Sequence, residues 1–172
     1  MTTGPETIKL LALDVDGVLT DGGIMLDDHG RELKRFCAAD GVGLRTWSRL
    51  GYRAAIITGR SGSALLHRLR ELGIADVIQG SKNKAASLAE LHARTGVAPE
   101  AMAFLGDDWP DLPVLRRVGY PMAVANADHA VKKAARFVTQ RPGGHGAVRE
   151  AIEHLLGSQG RMKDALGLYD PS

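Results

Sequence analysis

The segment Leu10-Leu11-Ala12-Leu13-Asp14-Val15-Asp16-Gly17-Val18-Leu19-Thr20 decides how this chain is read. An apolar run ends in two carboxylates two positions apart, followed by glycine. Such a run suits a strand buried on both faces, as the strands of a parallel sheet are. Open α/β sheets bind their ligands beyond the carboxyl ends of those strands. Two acids at that point repel each other and are costly to desolvate unless a cation or a catalytic task holds them. The segment therefore implies a Mg2+-binding phosphoryl-transfer site with Asp14 as nucleophile.

Outward from this strand, residues 8–15, the signals alternate. Residues 23–36 read as a hairpin around Asp27-Asp28-His29-Gly30. Residues 40–50 read as a helix with Asp40 as N-cap and Gly51 just past its end. Strand 52–57 stops at Thr58-Gly59-Arg60. Helix 63–72 carries Leu65, Leu66, Leu69 and Leu72 on one stripe. Strand 76–79, helix 82–96 and strand 101–105 follow, the last ending in Gly106-Asp107-Asp108. Helix 111–118, strand 121–124, helix 129–135, strand 136–138 and helix 147–156 complete the order. Repeated β-then-α order predicts an α/β fold, a Rossmann-like doubly wound parallel sheet with the hairpin as its one antiparallel addition. One domain is expected over residues 1–156. Residues 157–172 have sparse apolar content and read as a loosely held tail.

Composition sets outer bounds. The chain of 172 residues is long enough to bury a core without staples. A net charge of +2 gives no argument for a nucleic-acid partner. No apolar run reaches about 18 residues, so no membrane span is expected. Residues 1–9 lack a basic segment followed by an apolar stretch, so no secretory leader is expected. Cys37 is the only cysteine, which leaves no internal disulfide and no thiolate metal site. A cytoplasmic location fits these features.

Three apolar strands end in reactive residues: Asp14 and Asp16, then Thr58, then Asp107 and Asp108 with Asp111 close behind. Lys84 opens an intervening helix. A parallel sheet brings these ends to one edge. A carboxylate can attack phosphorus and carry the group. Carboxylates also supply hard oxygens to Mg2+. A second carboxyl can protonate the leaving alcohol and then activate water. A hydroxyl and an ammonium stabilise the charge on the moving group. Taken singly, several of these residues have plainer readings. Asp108 could cap the following helix, Thr58-Gly59 could be a turn, and Lys84 could be a solvated helix residue.

Asp14-Val15-Asp16-Gly17-Val18-Leu19-Thr20, Thr58-Gly59-Arg60, Lys84 and Gly106-Asp107-Asp108-Trp109-Pro110-Asp111 resemble the four motifs of the haloacid dehalogenase-like phosphatases. With the segment from Arg141 to Glu150, RPGGHGAVRE, they resemble the 3-deoxy-D-manno-octulosonate 8-phosphate phosphatase group, which includes relatives acting on sialic-acid-type 9-phosphates. The resemblance implies Asp14 as nucleophile and metal ligand. It implies Asp16 as general acid and base, with its backbone carbonyl on Mg2+. Asp107 would ligate the metal, with Asp108 and Asp111 supporting. Thr58, Gly59 and Lys84 would bind the phosphoryl group, and Arg45, Arg60 and Arg68 the anionic sugar acid. One departure stands out: the group usually has arginine in an FxxRDG stretch, and here the residue is Ala39. A different sugar acid or a smaller phosphate ester thus stays open.

The chain leaves no room for a separate cap domain between these motifs. The resemblance implies a homotetramer in which hairpins meet and a neighbour completes the site. Ile24, Leu26, Leu33 and Phe36 offer apolar surface for that contact. Gly143-Gly144-His145-Gly146 allows close backbone approach and is a candidate lid. His145 reads as a substrate-edge or loop residue rather than a metal ligand. A receiver-type phosphoacceptor domain is the competing class, but its acceptor follows the third strand rather than the first.

Overall fold

The computed structural model describes residues 4–170. The first three residues of the stretch without a leader pattern, and the last two of the expected tail, lie outside the described residues.

Strand β1, Leu10–Leu13, is fully buried and lies at the centre of the sheet. Its neighbours are β4, Arg53–Ile57, and β6, Met102–Gly106. With β5 (Asp76–Ile78), β7 (Tyr120–Ala123) and β8 (Phe137–Val138), the order is β5-β4-β1-β6-β7-β8, every pairing parallel. The chain builds outward from β1 through β4 to β5, then crosses to β6 on the other flank. The direction therefore switches between β1 and β6, where open sheets of this kind leave a crevice. The doubly wound expectation holds.

Right-handed crossovers put helices on both faces. Helix α1, Ala38–Arg49, packs on α2, Ser63–Leu72, and on α6, Ala147–Ser158. Helices α3 (Lys84–Thr95), α4 (Leu112–Leu115) and α5 (His129–Ala134) pack in succession against one another. Asn83 caps α3 by accepting the N–H groups of Ala85 and Ala86. That cap fixes Lys84 as the first residue of its helix.

Four expectations change. Helix α1 begins earlier than read, with Cys37 at its N-cap. Asp40 is thus inside the helix rather than capping it, and it is buried. The helix read over 111–118 is shorter: a 3-10 turn, Trp109–Asp111, leads into α4. The hairpin pairs only β2, Met25–Leu26, with β3, Glu32–Leu33. It forms its own two-stranded sheet rather than an antiparallel addition to the main one. The described part of the tail, residues 157–170, packs on the domain. Gly160 turns the chain at φ 68, and α7, Met162–Gly167, folds back so that Ala165 joins the common core. The Tyr169 hydroxyl meets Thr46 Oγ1 at 2.8 Å, and Arg49 lies over the Tyr169 ring. Two well-placed apolar residues on a short helix suffice, and a composition count does not detect them.

Candidate active site

The carboxyl ends of β1, β4 and β6 and the start of α3 meet around a cleft of about 360 Å3. Asp14 follows β1 directly, and its N–H donates to the Leu105 carbonyl of β6. Lys84 Nζ lies 2.9 Å from Asp14 Oδ2 and 2.6 Å from Asp111 Oδ1. The lysine is almost fully buried, so it is a fixed cation and not a solvated helix residue. Asp111 Oδ2 accepts the N–H groups of Asp107 at 2.9 Å and Asp108 at 3.4 Å. Asp108 Oδ1 accepts the Trp109 N–H, and the Asp108 and Asp111 side chains each accept the other's backbone N–H in a capping box. Asp108 therefore shapes the loop that carries Asp107.

Gly17 explains the glycine after the acid pair. Its φ is +91, and a Cβ there would overlap Asp107 Oδ2. Only glycine permits both the left-handed turn and the approach of the two loops. Asp16, on the same turn, pairs with Lys34 Nζ and lies 3.9 Å from Arg60 Nε. Glu32 holds both cations, at 3.2 Å from Lys34 Nζ and 2.7 Å from Arg60 Nη2. Thr58 is buried at the end of β4, and its Oγ1 accepts the Arg60 N–H.

The site is over-negative. Burial, then the nearby Asp111 charge, pushes the Asp14 carboxyl up to about 6 against the pull of Lys84. Burial, then Asp111 and Asp14, pushes Asp107 up to about 8. Burial opposes the charge on Lys84, yet Asp14 and Asp111 outweigh it and hold its pKa above the ordinary value. Buried oxygens of Asp14 (Oδ1), Asp16 (Oδ2) and Asp107 (Oδ1) have no hydrogen-bond partner. Carboxylate oxygens of Asp14, Asp107 and Asp111 lie within 4.8 Å of one another. Such hard, unpartnered oxygens fit a divalent cation. Asp111 has both oxygens engaged, so Asp14 and Asp107 are the freer donors.

Asp14, Asp16, Thr58, Gly59, Arg60, Lys84, Asp107 and Asp108 all line the cleft. Arg45 and Arg68 do not. Arg45 Nη2 donates to the Glu71 carbonyl at 3.0 Å. Arg68 pairs with the Glu71 carboxylate at 2.9 Å, over the Phe36 ring and against the bare Cα of Gly41. Among the described residues, His145 is not part of the acidic cluster. Gly143 and Gly144 press on the turn after Asp16 instead of lying over the cleft as a lid. Lys34, Glu32, Ser81 and Lys82 were not singled out from sequence. Glu32 and Lys34 flank Leu33 at strand spacing and so share one face, a signal present in the chain.

Comparison with known proteins places nearly the whole chain among relatives. The profile of the haloacid dehalogenase-like hydrolase family matches residues 70–152. The 3-deoxy-D-manno-octulosonate 8-phosphate phosphatase of Salmonella typhi is 43% identical over 96% of this chain and 88% of its own length. The chain belongs to the haloacid dehalogenase-like phosphatases. It is similar in structure to the 3-deoxy-D-manno-octulosonate 8-phosphate phosphatase of Moraxella catarrhalis, solved with magnesium, phosphate and the octulosonate. The TM-score is 0.93 and the identity 38%, over 96% of this chain and 95% of that one. For the Yersinia pestis enzyme of the same name the TM-score is 0.90 and the identity 40%, over 92% and 86%. Membership of this phosphatase family displaces the receiver-domain alternative. Among the described residues of this phosphatase, no helix is long and apolar enough to cross a membrane.

Proposed function

We propose that this phosphatase hydrolyses the phosphomonoester of a sugar acid, 3-deoxy-D-manno-octulosonate 8-phosphate or a similar nonulosonate 9-phosphate, through an aspartyl phosphate on Asp14. The carrying observation is Lys84 fixed between Asp14 and Asp111, beside unpartnered oxygens of Asp16 and Asp107. The names of the relatives support the substrate class.

In this reading the Asp14 carboxylate attacks phosphorus through one oxygen and keeps the other for the metal, while Lys84 beside it offsets charge on the phosphoryl oxygens. The Thr58 hydroxyl and the Gly59 backbone receive the same group. Asp16 gives its proton to the departing alkoxide, then takes one from the water that cleaves the aspartyl phosphate. Lys34 and Arg60 hold Asp16 in place. Asp14, Asp107 and the Asp16 backbone carbonyl are the proposed ligands of Mg2+. When bound, Mg2+ supplies positive charge that lets the raised carboxyls ionise together and screens the phosphate from the nucleophile.

Ile24, Met25, Leu26 and Leu33 are 45–61% exposed on the hairpin. An apolar surface of this kind favours a homotetramer, with a neighbour covering the open cleft. Arg45 and Arg68 then belong to the sugar-acid end only if the assembly brings substrate to them. A second reading, a smaller phosphate ester, is favoured by Ala39 and by the distance of these two arginines from the cleft lining. The cytoplasm is the proposed location.

Phosphate release with Mg2+ tests both readings, using octulosonate 8-phosphate, sialic-acid-type 9-phosphates and simple sugar phosphates against wild type and Asp14→Asn. Preference for the first confirms the octulosonate reading. Preference for a small ester moves the substrate and keeps the chemistry. Release that survives in Asp14→Asn removes the nucleophile assignment.

A further inference from the structure

Outside the cleft, one buried acid has no part in the chemistry above. Asp40 lies in the first turn of α1 and is 1% exposed. Its Oδ1 accepts the N–H of Arg149 at 2.8 Å, and the N–H groups of Gly146 and Val148 also reach the carboxylate. All three belong to the start of α6. Gly146, the cap residue of that helix, has φ 102 and no side chain to offer. Asp40 thus supplies from another helix the carboxylate that a helix start favours. The arrangement is costly: Oδ2 is buried without a hydrogen-bond partner, and burial pushes the carboxyl above its ordinary range.

The Gly143-Gly144-His145-Gly146 turn runs directly into α6. Gly143 N–H donates to Asn126 Oδ1, and Gly144 N–H donates to the Val18 carbonyl, each at 2.9 Å. A Cβ on Gly143 would overlap the Gly17 carbonyl oxygen, and one on Gly144 the Asp21 backbone nitrogen. This is direct backbone contact with residues 17–21, the turn that follows Asp16. A continuous line of contacts therefore joins Asp40, the start of α6, the glycine turn, the 17–21 turn and Asp16. The nucleophile Asp14 is held separately, by the sheet and Lys84.

We propose that Asp40 is a positioning residue for Asp16, anchoring the start of α6 so that the glycine turn fixes the turn bearing the acid–base carboxyl. The inference rests on the assignment of Asp16 given above. The bland alternative is a cap that only stabilises the packing of α1 on α6.

Leaving-group dependence separates the two. A sugar phosphate needs its departing alkoxide protonated, whereas p-nitrophenolate departs without that proton. The readout is the ratio of kcat/KM for the sugar phosphate to that for p-nitrophenyl phosphate. Asp16→Asn sets the reference, with a large fall in this ratio. Asp40→Ala is expected to lower it roughly tenfold. Asp40→Asn keeps an acceptor oxygen and is expected to restore most of it. Asn126→Ala, at an exposed residue that supports the same turn, is expected to shift the ratio in the same direction. Equal loss on both esters, or an unchanged ratio in Asp40→Ala while Asp16→Asn shifts it, overturns the positioning role. Should Asp40→Ala fail to fold, an unchanged ratio in Asn126→Ala overturns it. An unchanged ratio in Asp16→Asn sinks the acid assignment itself and this inference with it.

Discussion

Two lysines hold the two acids of the first motif, and they are built differently. Lys84 comes from the first residue of a capped helix and pairs with Asp14 inside the core. Lys34 follows a two-residue strand and pairs with Asp16 from a hairpin that contributes nothing to the main sheet. The proposed nucleophile is therefore part of the folded core. The proposed acid–base group depends on an appendage that leaves Ile24, Met25, Leu26 and Leu33 exposed. Stability and chemistry should be coupled at the first site and separable at the second.

The sharpest break is Asp14→Asn, expected to lower kcat by at least about a thousandfold while the fold persists, read by phosphate release and circular dichroism. Lys84→Ala should fail on both counts. It leaves Asp14 and Asp111 facing each other, so kcat should drop by about 10²–10³ and stability by about 3–5 kcal/mol, measured by urea unfolding. Lys34→Ala should be milder, with kcat down about 5–10-fold and an unchanged unfolding midpoint. Equal destabilisation by the two lysine variants would erase the contrast between core and hairpin.

The smallest expected effect is on the pH dependence of stability. Asp14 and Asp107 sit at about 6 and about 8 in the folded chain, above the ordinary 3.8. The folded state thus keeps protons that the unfolded state releases. The favourable contribution of these groups is fully present below about pH 4 and is lost as pH rises through those values. Mg2+ requires the ionised carboxylates, so its stabilising effect should grow over the same range. The gap in Tm between Mg2+ and chelator should be wider at about pH 9 than at about pH 5. A constant gap would show that the two carboxyls do not bind the ion.

Much of this was legible in the chain because it depends on strand ends. The apolar run before Asp14, the Thr58-Gly59 stop and the Gly106-Asp107 stop mark one sheet edge without any knowledge of packing. The sites that were missed depend on contacts across the fold. Asp40 has the residue type of an N-cap, but it lies inside the first turn of its own helix and caps a different helix instead. Met162 and Ala165 look sparse until α6 offers them a face. Glu32 and Lys34 carry no motif of their own, and only the folded hairpin brings the ammonium to Asp16 and the carboxylate to Arg60.

The switch between β1 and β6 also has a kinetic consequence. Leu13 pairs with Leu105, so the crevice forms only when a distant part of the chain closes onto the first strand. Loop closure of that length is among the slower steps of assembly. Any cation shared by Asp14 and Asp107 would meet a complete pair of ligands only after this closure. Mg2+ should then leave the refolding rate nearly unchanged and slow unfolding, making the ion a latch on the finished sheet and not a seed for it.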